Sequence, residues 1–331
     1  MLNRTPSPKE LAVLLLLALA LAACRGSRPP VPPASTPTSG SQPAPMAPAT
    51  RPSSTPTPHP VSMPSPTPPP VSPELVAGLE ESTTDILGFH KTSPDYQKAI
   101  DAGLRVVNVP ELGSFFALWV PDEYNQQELR RVMAVVPGTK GVVYKTLGLR
   151  LPHARAHGYA LVIVQWWLGE GDDYLPASVV YSLLAAGLEY VGAEYGADVH
   201  RAALEGFSRG SAISWEIAYW DRALGNDYFA LFICHSGGMH DPGPPFIAGL
   251  RAGAWGDDVY AGQHFYMYCG MKDRQWGPAQ CEYMHNAEQM VIEYGGTVER
   301  FIEDPTGDHA DFLLKDDYYE DAVRAWFELT G

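Results

Sequence analysis

Gly206-Phe207-Ser208-Arg209-Gly210 is the segment of this chain best suited to covalent chemistry. A serine hydroxyl is a weak nucleophile until a neighbouring base takes its proton. It therefore needs exposure on one side and a histidine within reach. The flanking glycines allow close backbone approach, as required where a strand turns sharply into a helix and leaves the serine oxygen at the crest. The neighbouring sequence suits that geometry. Residues 201–205 (Arg-Ala-Ala-Leu-Glu) read as a short buried strand, and Ser211 to Ala223 places Ile213, Ile217 and Trp220 at helical spacing.

The base should follow a strand in a loop. Of ten histidines, His309 alone lies after every strand-like run, in the Gly/Pro loop from Asp304 to Asp311 that precedes the last helix. His59, His90, His153, His157 and His200 read as surface or satisfied residues, and His285 falls inside a helical pattern. The orienting carboxylate is expected at Asp273, just beyond the strand ending at Cys269, where it can hold the imidazole Nδ1–H. Asp241 is the substitute, and Asp304 lies too near His309 in sequence to reach it easily. An oxyanion needs two backbone donors. The Arg209 N–H follows the nucleophile, and the loop after the strand ending at Val136 offers the Thr139 N–H. Gln165, Trp166 and Trp167 end another strand at the same sheet edge and are candidates for the substrate pocket. Trp255 and Trp276, in later loops, are weaker ones.

The elements that must position these groups alternate along the chain. Strand patterns occur at 114–120, 131–136, 159–167, 228–234, 264–269 and 297–302, besides the one entering the serine turn. Helical patterns fall around 147–156, at 179–195, at 278–294 and from about 318 to 329. Near-continuous apolar strands alternating with helices predict an α/β fold: a mostly parallel central sheet with helices on both faces. Chemistry in such sheets gathers beyond the carboxyl ends of the strands.

The beginning of the chain reads differently. Arg4 and Lys9 precede an apolar run from Leu11 to Ala23, short for a bilayer span but suited to a secretory signal, and residues 1–23 are read as one. Leu21-Ala22-Ala23-Cys24 is similar to a bacterial lipobox, which implies lipidation of Cys24 and an exported domain held to the cell envelope. Residues 24–73 are rich in Pro, Ser, Thr and Ala and have little to bury, so a disordered tether is expected, with the folded domain at 74–331. A fully extended polyproline tether of that length spans on the order of 150 Å. The formal net charge of −15 argues against nucleic acid or an anionic membrane face as partner, leaving the lipid at Cys24 as the only membrane contact. Once Cys24 is acylated, three cysteines remain. Cys269 and Cys281 can pair if their Cα atoms come within about 7 Å, and Cys234 reads as a reduced strand residue. No cysteine spacing suggests a zinc site, and the chemistry calls for neither metal nor organic cofactor.

The chain order Ser208, Asp273, His309, with Gly-x-Ser-x-Gly between strand and helix, resembles the α/β-hydrolase superfamily over roughly residues 105 to 331. Phe116-Ala-Leu-Trp-Val-Pro121, Val136-Pro-Gly-Thr139, Glu205-Gly-Phe-Ser-Arg-Gly210 and Gly270-Met-Lys-Asp273 look like secreted esterases related to polyhydroxybutyrate depolymerases and feruloyl esterases. One departure is Pro137-Gly138, where many members carry His-Gly. The resemblance implies a Ser-His-Asp hydrolase that passes through an acyl-enzyme on small or polymer-borne esters. Its rivals are a peptidase with the same triad and a non-catalytic binding module on a hydrolase scaffold. Residues 168–178 and 238–262 are left as loops that shape the pocket.

Overall fold

The computed structural model describes residues 67–239, 244–275 and 280–331. Cys24, the signal and most of the tether expected from sequence lie outside them, as do Asp241 and Trp276.

Nine strands form one sheet in the order β1-β2-β3-β5-β4-β6-β7-β8-β9. They are β1 (Glu81–Ser82), β2 (Arg105–Val109), β3 (Ser114–Trp119), β4 (Val132–Val136), β5 (Ala160–Gln165), β6 (Ala202–Phe207), β7 (Phe229–His235), β8 (His264–Gly270) and β9 (Thr297–Asp304). Pairings from β4 through β9 are parallel, and those linking β1, β2, β3 and β5 are antiparallel. The sheet is thus mostly parallel, as the apolar strand runs predict. The segment before β3 lacks a clear period. It folds as the short helices α1 (Pro73–Ala77), α2 (Phe89–Thr92) and α3 (Tyr96–Asp101) together with β1 and β2.

Both sheet faces are covered, which explains why the central strands show no polar alternation, whereas the edge strand β9 carries exposed Glu299, Arg300 and Glu303. In β4, Val132, Ala134 and Val136 face one core and Met133 and Val135 the other. The first core is closed by α5 (Ala177–Tyr195), α6 (Arg209–Ala223), α7 (Pro245–Arg251) and α8 (Gln280–Glu293). The second is closed by α4 (Val143–His157), α9 (Asp311–Leu314) and α10 (Asp316–Thr330). The helix expected around 147–156 begins earlier, because the Val143 N–H at its start is taken by Gln165 Oε1 at 3.1 Å. Among the described residues no helix is long and apolar enough to cross a membrane.

Candidate active site

β6 runs straight into α6, and Ser208 is the hinge. Its backbone sits at φ 54°, ψ −117°, a region that side-chain-bearing residues rarely occupy and that stores on the order of 1–3 kcal/mol. The surrounding contacts hold it there. The Ser208 N–H donates to the His235 carbonyl at 2.9 Å, and the Ala212 N–H donates to the Ser208 carbonyl at 3.0 Å. The two motif glycines make the turn sterically possible. A Cβ on Gly206 would lie 2.4 Å from Ser214 Oγ, and one on Gly210 would lie 2.2 Å from the Val136 carbonyl oxygen.

The loop after β9 brings His309 over the serine. Its Nε2 lies 2.9 Å from Ser208 Oγ and its Nδ1 lies 2.6 Å from Asp273 Oδ2. An ionised carboxylate only accepts, so Nδ1 carries the proton and Nε2 offers a lone pair to the serine hydroxyl. Asp273 is fully buried, and its other oxygen accepts the Gln275 N–H at 3.0 Å. Its loop is anchored on two sides. The Lys272 N–H donates to the Gly307 carbonyl, and a disulfide joins Cys269 to Cys281 with their Cα atoms 5.3 Å apart. Cys234 is free and buried, and burial pushes its thiol pKa upward. Cys269 and Cys281 gather near Glu303, but their sulfurs are bonded to each other and present no thiolate to a metal. Asp304, the acid disfavoured from its position, is engaged elsewhere. Burial would raise its pKa, but Lys315 Nζ at 2.5 Å and the Thr306 N–H and hydroxyl hold it well below the carboxylate range.

The loop after β4 is pressed against the first turn of α6, since the Cβ position of Gly210 also lies 2.8 Å from the Pro137 carbonyl oxygen. Among the described residues neither the Thr139 N–H nor the Arg209 N–H donates to a protein acceptor, and the Thr139 hydroxyl is buried without a partner. The Arg209 side chain turns outward, stacking on Tyr174 with its guanidinium carbon 4.4 Å from the ring centre.

The residues expected to line a pocket at the end of β5 differ in exposure. Gln165 is fully buried and spends its amide on the Val143 N–H and on the carbonyls of Gly141 and Trp167. Trp166 is also buried, and its indole N–H donates to the Pro137 carbonyl at 2.8 Å. Both are buried and brace the loop that carries Thr139, Gln165 through the Gly141 carbonyl and Trp166 through the Pro137 carbonyl. Trp167 stays partly exposed and meets Phe89 at 5.6 Å. Trp255 packs on Tyr219, eleven residues beyond the serine along α6, or about 16 Å at helical rise.

Two participants were missed from sequence. Tyr174 packs against Trp166 in a tilted contact, with ring centroids 4.6 Å apart, and accepts the Lys140 N–H through its hydroxyl, tying the 166–175 loop to the Thr139 loop. His235 ends β7 inside an apolar run, where pattern reads a core position. It is fully buried, and its Nε2–H donates to Glu205 at 2.8 Å. Glu205 is gripped in turn by Arg150, through Nε to Oε2 at 2.8 Å and Nη2 to Oε1 at 2.6 Å. Burial alone would raise the Glu205 pKa, yet the guanidinium and the imidazole N–H bring it down to about 2.

No protein-family model and no curated protein matches the chain. Solved structures do. A mutant form of the esterase rPPE is 15% identical with a TM-score of 0.52, over 77% of this chain and 83% of that one. A fungal esterase from Rhizomucor miehei is 12% identical with a TM-score of 0.51, over 79% of this chain and 97% of that one. At such identities the likeness shows the fold, which is that of the α/β-hydrolases.

Proposed function

We propose that this chain is a serine hydrolase cleaving carboxylic esters through an acyl-enzyme. The observation that carries the reading is the line from Ser208 Oγ to His309 Nε2 at 2.9 Å and from His309 Nδ1 to Asp273 at 2.6 Å, on a serine held in a strained turn. His309 takes the hydroxyl proton as Oγ bonds to the acyl carbon. The carbonyl oxygen then becomes an oxyanion, for which the N–H groups of Thr139 and Arg209 are the proposed donors. Each such donor is worth about 10²–10³ in rate. Collapse breaks the ester C–O bond, and the proton on Nε2 passes to the departing alcohol. Water, deprotonated by the same nitrogen, releases the acid and restores Ser208. Asp273 keeps the proton on Nδ1 throughout and stabilises the imidazolium.

The reading is supported by motifs that resemble those of secreted esterases related to polyhydroxybutyrate depolymerases and feruloyl esterases, and the substrate we propose is a small or polymer-borne ester. The solved structures that share the fold include esterases. We further propose export and lipid anchoring at Cys24. The Cys269–Cys281 disulfide suits an oxidising compartment outside the cytoplasm. Replacing Cys24 by Ser should release the protein from the envelope in fractionation, and unchanged membrane retention would rule the anchor out.

The deciding experiment is fluorophosphonate labelling followed by peptide mapping, which reports an activated serine without assuming a substrate. Label on Ser208 that disappears in His309→Ala is the expected result. A folded protein that takes no label at Ser208 would overturn the hydrolase reading.

A further inference from the structure

Beneath the dyad, rings stack in a column that the hydrolytic scheme does not require. His309 rests on Phe207 with centroids 5.1 Å apart, Phe207 stacks on His235 at 5.1 Å and 20°, and His235 stacks on Phe312 at 4.2 Å and 28°. The two phenylalanines belong to the two halves of the dyad: Phe207 immediately precedes the nucleophile, and Phe312 follows the base by three residues in α9. The His235 ring is therefore a spacer between the serine turn and the histidine loop. Its own backbone adds a third link, because the His235 carbonyl accepts the Ser208 N–H at 2.9 Å.

Ordinary core packing does not account for a histidine here. His235 is fully buried, and burial lowers its pKa and keeps it neutral. With the proton on Nε2, where Glu205 accepts it, Nδ1 is a buried lone pair with no partner among the described residues. An unsatisfied buried polar atom costs on the order of 1–3 kcal/mol, which a phenylalanine at this position would avoid. What the histidine provides is direction. The N–H bond to Glu205, itself locked by two hydrogen bonds from Arg150, fixes the ring plane that Phe207 and Phe312 rest on.

We propose that His235 is a positioning residue that sets the separation of Ser208 Oγ and His309 Nε2, acting through Phe207 and Phe312 and oriented by the Arg150–Glu205 pair. The inference rests on Ser208 being the nucleophile. A displacement of about 1 Å between reacting groups can reduce rate by as much as 10²-fold, so the ring should matter to turnover more than to substrate affinity.

The test uses the full chain with His235→Ala, His235→Phe and Phe312→Leu. Folding is checked by circular dichroism and melting temperature. Turnover and KM are measured on p-nitrophenyl acetate, and the rate constant of fluorophosphonate inactivation is measured in parallel. Expected for His235→Ala is a 10–100-fold fall in both kcat and inactivation rate with KM within twofold. His235→Phe, which keeps the spacer ring but loses the orienting bond to Glu205, should recover part of that loss and not all of it. A folded His235→Ala with wild-type kcat, or a loss that Phe does not recover, would overturn the assignment. Should His235→Ala fail to fold, Phe312→Leu decides: a kcat loss at constant KM supports the spacer, and wild-type kcat refutes it. Wild-type protein that takes no label at Ser208 sinks both this inference and the hydrolase reading. Labelling of wild type and His235→Ala at equal rates sinks this inference alone.

Discussion

Replacing Arg150 by Met should make the protein less stable as pH rises from 5 to 8. In the native chain Glu205 and Arg150 are both essentially out of solvent, joined by two hydrogen bonds of 2.8 and 2.6 Å. The Glu205 pKa falls from the usual 4.5 to about 2 on folding, so the folded state favours the carboxylate. That stabilisation is fully present above 4.5 and is lost as pH falls from 4.5 towards 2. Between pH 5 and 8 this group leaves native stability flat. Without the guanidinium, burial dominates, and the folded state takes up a proton that the unfolded chain lacks at neutral pH. Whether that proton resides on Glu205 or on His235 beside it, the folded-state pKa is then raised and the variant is destabilised as pH rises. Stranding one member of a buried pair costs about 3–5 kcal/mol. At roughly 2–4 °C per kcal/mol for a domain approaching this size, the melting temperature at pH 7 should drop by roughly 6–20 °C. Thermal unfolding followed by circular dichroism at pH 5, 6, 7 and 8 provides the assay. Arg150→Met should melt progressively higher as pH falls, whereas the wild type should not. The double variant Arg150→Met with Glu205→Gln should recover most of the loss and lose the slope. A drop below about 1 kcal/mol, or a variant that keeps the wild-type pH profile, would show that the pair does not hold a buried charge.

Three further outcomes follow from the site and its supports. Asp273→Asn should lower kcat by about 10⁴ through loss of the productive tautomer while the melting temperature moves little, and steady-state kinetics alongside thermal scans checks both. Ser208→Gly and Ser208→Ala should both be inactive, but Gly should be the more stable by about 1 kcal/mol, because relief of the positive-φ strain exceeds the unfolded-state entropy of glycine. Urea titration compares them, and Ala equal to or above Gly would mean the turn stores no strain. Cys281→Ser opens a loop of sequence separation 12, which chain entropy values at about 3 kcal/mol. An unchanged melting temperature, with thiol counting to confirm the free Cys269, would contradict that value.

Much of this protein was decided locally, and that part was readable. The strand–turn–helix around Ser208 follows from two glycines and the change from strand-like to helical spacing, interactions within a few residues. The parallel sheet follows from apolar runs whose faces both need cover, and β4 displays this with Val132 and Met133 in opposite cores. The nearness of His309 to Ser208, across 101 residues, was only an expectation drawn from the habit of parallel sheets to gather loops at one edge; the 2.9 Å separation belongs to the packed fold. Direction was harder than location. Gln165 and Trp166 stand at the expected edge but are buried, because their polar groups find partners at Val143, Gly141 and Pro137, on segments more than twenty residues away. His235 and Tyr174 left no local signal, one hidden in an apolar strand and the other in an irregular loop. Their roles come from partners on other elements, Glu205 and Phe312 for the first and Lys140 and Trp166 for the second. Sequence alone determined which residue types were available and the local turn that presents the serine. Tertiary packing decided which of them meet, since contacts between distant segments depend on the whole core closing at once.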